Sequence, residues 1–144
     1  MGMHQEETFD YHIKWAWHKI SKFYNQEASK HDFTMAVGYV LLNIDSKEGT
    51  PATSLGPKMG MEPRSLSRIL NSMQEKGLIE RRADLVDKRI NRVFLTDLGK
   101  TKRNISRNTV LSLNEKLHAQ FSPSKLNAFF EVMETIKNKD LNEL

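Results

Sequence analysis

The chain contains no cysteine. That absence excludes disulfides, thiolate metal sites and thiol redox switches together. Proline occurs four times and glycine seven times, and neither gathers into a linker or low-complexity tract. No apolar run approaches the length that crosses a bilayer, so no membrane partner is expected. Met1 to Thr8 is polar and partly acidic, which predicts no secretory signal and a cytoplasmic protein. Enzyme signatures are missing as well. There is no Gly-rich phosphate loop, nucleophile elbow or paired-carboxylate motif, and Ser, His and Asp recur at no suggestive spacing. The five histidines, His4, His12, His18, His31 and His118, form no HxxxH pair or other short ligand spacing. The expectation is a non-enzyme with no cofactor and no metal.

What is present is ordinary in amount and uneven in placement. At 144 residues the chain can form one domain with a real core. Its formal charge is +4, yet residues 58–103 hold twelve Lys/Arg against six Asp/Glu, leaving the rest slightly acidic. A basic middle between near-neutral flanks is the footprint expected of a nucleic-acid reader; the plainer alternative is a solvated basic face. Eight of the twelve aromatics lie before position 40, and none lies between Tyr39 and Phe94. The bulky packing residues are thus set apart from the basic segment.

Periodicity predicts a long helix over residues 8–30. Phe9, Ile13, Trp17, Ile20 and Tyr24 make one apolar stripe, and Tyr11, Trp15 and His18 a second. A helix apolar on two faces needs cover on both, either from its own domain or from a partner subunit or ligand. Thr34 is placed to cap a second helix with Val37, Val40, Leu41 and Ile44 on its core face, ended by Gly49. Thr50 to Ala52 reads as a short link, and Thr53 as the cap of a brief helix that Pro57 must distort or shorten. Gly60-Met61 makes a turn. Pro63 opens the next helix, in which Leu66, Ile69, Leu70 and Met73 form one face; Gly77 stops it. The opposite face carries Arg64, Ser65, Ser67, Arg68 and Asn71. Residues 78–82 and 92–96 read as short strands around a polar loop, 83–91. Thr96 caps a helix from Leu98 to about Ala119, and Ser122-Pro123 opens a last one with Leu126, Phe129, Phe130, Met133 and Ile136 as its apolar face. Helix, turn, helix, strand, basic loop and strand is the outline of a winged helix-turn-helix, mainly α with a small β-hairpin.

The side chains on the two projecting parts suit duplex recognition. Arginine offers a planar fork to guanine or to phosphate. Serines near a helix N-terminus can bond phosphates or base edges. A narrow minor groove attracts an inserted arginine, and Asp87, two residues from Arg89, can hold that arginine extended. The plainer alternatives are exposed helix arginines and a surface ion pair worth little.

Three stretches resemble the MarR (multiple antibiotic resistance regulator) family: Ser65-Leu66-Ser67-Arg68-Ile69-Leu70, Lys76-Gly77-Leu78-Ile79-Glu80-Arg81, and Asp87-Lys88-Arg89 followed by Leu95-Thr96-Asp97-Leu98-Gly99. The resemblance implies one domain over residues 1–144, with 8–32 and 98–140 as dimerisation helices. Residues 34–97 would then be the winged helix-turn-helix, with its wing at about 83–91. It implies a homodimer, probing double-stranded DNA with a recognition helix in the major groove and a wing in the minor groove. Arg64, Ser65, Ser67, Arg68 and Asn71 would read the first. Lys88, Arg89 and Arg92 would serve the second, with Asp87 as the brace. The expected role is a repressor on a palindromic operator, released by a small aromatic or anionic ligand. Trp15, Trp17, His18, Met35 and Tyr39 are candidates to line its pocket, though core packing accounts for each of them as well. Gly56, Pro57 and Glu62 depart from the family's pattern. A winged helix used for protein contact or RNA is the competing reading. A protein-contact module has no need of a basic wing, and an RNA reader would expose stacking aromatics, which residues 58–93 lack.

Overall fold

In the computed structural model, residues 2–144 are described. They fall into two compact units, one ending at Thr109 and the other Val110–Leu144. A single 3-10 turn, Gln5–Glu7, precedes α1 (Phe9–Ser29), which Thr8 caps by accepting from the Tyr11 amide. Then come α2 (Met35–Asn43), β1 (Thr50–Pro51), α3 (Ala52–Met59), α4 (Pro63–Glu75), β2 (Ile79–Ala83) and β3 (Asn91–Leu95). The last two helices are α5 (Asp97–His118), which runs across the boundary, and α6 (Pro123–Asn138).

Local chemistry explains most of these boundaries. Thr34 accepts from Val37 N at 3.2 Å, Thr96 from Gly99 N at 3.0 Å, and Ser122 from Lys125 N at 3.3 Å. Each satisfies an amide that a helix start leaves free. Gly60, directly after α3, and Gly77, two residues after α4, adopt left-handed backbone, φ 62° and 73°; a residue without Cβ does so at little cost.

Several expected boundaries move. Helix α2 ends at Asn43 rather than at Gly49. Asp45 terminates it by folding the chain back: its carboxylate accepts from the amides of Lys47 and Glu48, and its own amide donates to Thr50. The expected link at 50–52 is instead a strand. Thr50 and Pro51 pair antiparallel with Val93 and Arg92, so the hairpin becomes a three-stranded sheet ordered β1-β3-β2. Pro51, not Thr53, occupies the N-cap of α3. Pro57 lies inside that helix, which lacks one backbone donor there and spans barely two turns. The strands sit one residue off expectation, pairing Ile79 with Leu95 through to Ala83 with Asn91, and the loop between them shrinks to 84–90.

The core of the first unit lies where α2, α3, α4 and the sheet converge. Val40, Leu41, Ile44, Leu55, Met73, Ile79 and Val93 are completely buried there, with Leu66, Leu70 and Leu78 beside them. Each contributes roughly 1.5–3 kcal/mol by leaving water, and together they fix α4 against β2. Its alternating face leaves Arg64, Ser65, Ser67, Arg68 and Asn71 outside. On α1, Tyr24 and Ala28 are buried, whereas Phe9, Ile13, Trp15, Trp17 and Phe23 stay exposed. None of the described residues of the second unit is buried; Phe129 and Phe130 meet edge to face and both remain about half exposed.

Candidate nucleic-acid interface

The loop between β2 and β3 is built around two aspartates. Asp84 Oδ2 accepts from the amides of Val86 and Asp87, both at 3.0 Å. Its Oδ1 accepts from Arg92 Nε at 2.9 Å. Asp84 N donates to Ile90 O and Ile90 N to Asp87 O, closing the turn. The loop is therefore ordered by its own sequence. The Asp87 amide, then Arg92 and then the Val86 amide hold the Asp84 carboxyl below the usual carboxylate range.

Asp87 acts on its neighbour. Arg89 donates from Nε to Asp87 Oδ1 and from a terminal nitrogen to Oδ2, both at 3.0 Å. This two-pronged pair fixes the guanidinium although 91% of the Arg89 side chain faces solvent. The same contact lowers the Asp87 pKa and raises that of Arg89. So exposed a pair adds little stability; its consequence is orientation. Lys88 stands exposed beside it.

Because both carboxylates titrate below their unfolded value of about 3.9, their hold on the wing is complete above that value. It is lost as pH falls through the lowered folded values. The amide resonances of Val86, Asp87 and Arg89 are expected to stay constant from neutral pH down to about pH 4 and to move only below it. Movement between pH 5 and 7 would contradict this account of the wing.

Arg92 differs from Arg89. Besides Asp84 it donates to the carbonyls of Glu48 and Gly49, at 3.3 and 3.2 Å, and only 26% of its side chain is exposed. It fastens the wing to the turn before β1, so its donors are largely committed within the fold. Asn71 is also engaged: its Oδ1 accepts from an Arg81 terminal nitrogen at 2.7 Å, tying α4 to β2. Arg64, Ser65, Ser67 and Arg68 remain exposed on α4. Ser67 shares a groove of about 690 Å³ with Arg81 and Asn91, so the outer side of α4 adjoins the base of the wing.

Sequence reasoning gave no role to Arg81 or Asp84. Arg81 was hidden because its partner lies ten residues back on another element. Asp84 had a local signal, a short carboxylate followed by two free amides in a polar loop, which is the pattern of an Asx turn.

The proposed ligand-pocket residues separate into two groups. Trp17 stacks on Tyr39 with centroids 6.3 Å apart, and Trp15 meets His18 edge-on at 5.7 Å. Burial and the neighbouring Tyr24 raise the Tyr39 phenol above its usual pKa. Met35 is half-buried and donates its amide to Asn25. The grooves that hold Trp15, Trp17 and His18 are lined by α1 alone and include neither Met35 nor Tyr39. Among the described residues no helix is long and apolar enough to cross a membrane, and no three acids or histidines are grouped to hold a metal.

Comparison with known proteins agrees with this architecture. The regulator SarZ of Staphylococcus haemolyticus, an HTH-type transcriptional regulator, is 27% identical over 81 residues, 56% of this chain and 55% of SarZ. The chain spans about half the length of the curated relatives it matches. Two solved structures share its fold. The S. aureus MepR–DNA complex has TM-score 0.83 at 19% identity, covering 95% of this chain and 98% of MepR. CouR from Rhodococcus jostii RHA1 bound to p-coumaroyl-CoA has TM-score 0.81 at 15% identity, covering 97% and 99%. The family model described as MarR family matches residues 33–90, from the end of the α1–α2 turn to the end of the wing loop. The stretch from α2 through the wing loop is thus similar to the MarR family, and the described residues share the winged-helix fold of the two solved structures.

Proposed function

We propose that this chain is a transcription regulator that binds double-stranded DNA as a homodimer. It represses from a palindromic operator and is released by a small aromatic or anionic ligand. The observation that carries the reading is Arg89, held outward by Asp87 on an ordered wing whose base adjoins the exposed face of α4. On that face Arg68 and Arg64 present forks to the major groove, while Ser65 and Ser67 near the helix start bond phosphates or base edges. Arg89 enters the adjacent minor groove, where negative potential is concentrated. Arg92 acts as the wing's buttress, and Asn71 keeps its amide group for the duplex while Arg81 holds its oxygen.

Dimerisation is supported by the apolar surface each unit leaves uncovered, Phe9, Trp15 and Trp17 on α1 and Phe129, Phe130 and Val132 on α6. Exposed patches of this kind mark association sites. The division into dimerisation helices at 8–32 and 98–140 around a winged portion at 34–97 belongs to the same reading, as does a cytoplasmic location. MepR, named in complex with DNA, and CouR, named in complex with p-coumaroyl-CoA, supply the analogy for duplex binding and ligand response.

Selection from a random duplex pool tests the proposal. The recovered sequences are expected to contain an inverted repeat with half-sites about one turn, roughly 34 Å, apart. Affinity should fall steeply with salt. Recovery of no common sequence, or of a single unrepeated site together with sedimentation as a monomer at micromolar concentration, would refute it.

A further inference from the structure

Leu85 and Val86 are apolar, yet they are 98% and 95% exposed, more than any other large hydrophobic residue described. They form the tip of the wing. Their exposure is not the looseness of a floppy loop. The Val86 amide is held by Asp84, the Asp87 amide by the same carboxylate oxygen, and the turn is closed by bonds between Asp84, Ile90 and Asp87. The fold thus spends six or more polar contacts on a platform that presents two bare aliphatic side chains to water, Arg92 anchoring its root on the Glu48 and Gly49 carbonyls.

Charge alone does not explain such a platform. Residues 84–92 carry Lys88, Arg89 and Arg92 against Asp84 and Asp87, a net of +1. Arg92 and Arg89 are each paired to one of those acids. A loop meant only to neutralise phosphates would carry a larger surplus, since each phosphate contact displaces counterions.

We propose that Leu85 and Val86 are the apolar lips of the wing, packing on the sugar walls of the minor groove beside Arg89. This rests on the duplex-binding reading and assigns a contact that reading did not contain. The occupant is a duplex because its chemistry matches the tip in order: apolar C–H walls opposite Leu85 and Val86, phosphate ridges opposite Lys88, and a negative groove floor opposite the fixed Arg89. Leucine is among the apolar side chains that minor-groove proteins bring into that groove, where they wedge between base steps; Leu85 and Val86 would lie along its walls instead. Because these side chains are almost wholly exposed in the chain by itself, nearly all of their apolar area is available for burial on binding.

The test compares the wild type, a Leu85→Ser/Val86→Ser double variant and Lys88→Ala. Each is titrated with the tightest duplex that the wild type recovers from a random pool, across a salt series. The double variant is expected to bind about tenfold more weakly at every salt concentration, for loss of partly buried aliphatic area. Its log–log salt slope should equal the wild type's, because an apolar contact releases no counterion. Lys88→Ala should instead lower that slope by about one per wing, so about two in the dimer. Unchanged affinity in the double variant overturns the proposal, as does a slope shifted like that of Lys88→Ala. A fall in its melting temperature overturns it too, by making the tip a packing element. Altered sedimentation without DNA would mean that the tip meets a second copy, and overturns it equally. If the wild type recovers no duplex at all, the DNA reading has failed, and this assignment falls with it; if it recovers one and the double variant binds it equally well, the lips alone have failed.

Discussion

Gly99→Ala is expected to destabilise the protein by on the order of 3 kcal/mol, the largest effect foreseen for so small a change. A Cβ on Gly99 would stand 2.0 Å from the Leu78 carbonyl oxygen and 3.1 Å from its carbon. Those atoms are backbone, so no flexible side chain can yield. The same carbonyl accepts from Thr96 N at 3.1 Å, and Thr96 in turn caps α5 through Gly99 N. Pushing the carbonyl away would loosen three connected things: the start of β2, where Ile79 pairs with Leu95; the first turn of α5; and the buried Leu78 side chain. Gly77→Ala is the control. Its φ of 73° strains alanine, but nothing lies within 4 Å of the added Cβ, so a cost of about 1 kcal/mol is expected. Urea midpoints of the two variants, read with an unchanged slope against denaturant, check the difference. Equal losses would mean that α5 and β2 do not approach as closely as described.

Arg89→Ala is expected to leave the urea midpoint unchanged and to weaken binding to the pool-selected duplex by roughly 1–3 kcal/mol per wing. In a dimer both wings are lost, and tenfold or more in affinity goes with each 1.4 kcal/mol. Stability is spared because the Asp87–Arg89 pair is exposed and local. Binding suffers because the guanidinium is already held in its extended geometry and pays little to be ordered on contact. Arg68→Ala separates reading from gripping: a loss confined to the selected duplex marks a base contact, and an equal loss on random duplex marks a phosphate contact. Unaltered affinity of Arg89→Ala would remove the wing from the mechanism.

Local chemistry was legible in the chain before any fold was known. Thr34, Thr96 and Ser122 announced helix starts because a cap needs a hydroxyl within three residues of the amide it satisfies. The buried face of α4 followed from the spacing of Leu66, Leu70 and Met73. The Asp87–Arg89 contact was foreseeable because it spans two residues. Strand β1 was not: two residues carry no period, and one of them is Pro51. Nor was the end of α2, where Asp45 intervenes ahead of Gly49.

The sequence by itself determined the order of the helices and of the β2–β3 hairpin, the buried faces of α2 and α4 and the ion pair at the wing, all of which depend on neighbours within a few positions. Tertiary structure alone decided the rest. It turned Arg92 inward to carbonyls more than forty residues away, joined Arg81 to Asn71 across two elements and pressed Gly99 against the Leu78 backbone. Whether an arginine is free to meet another molecule depends on which acceptors the folded chain brings within about 3 Å of it, and distance along a sequence does not encode that.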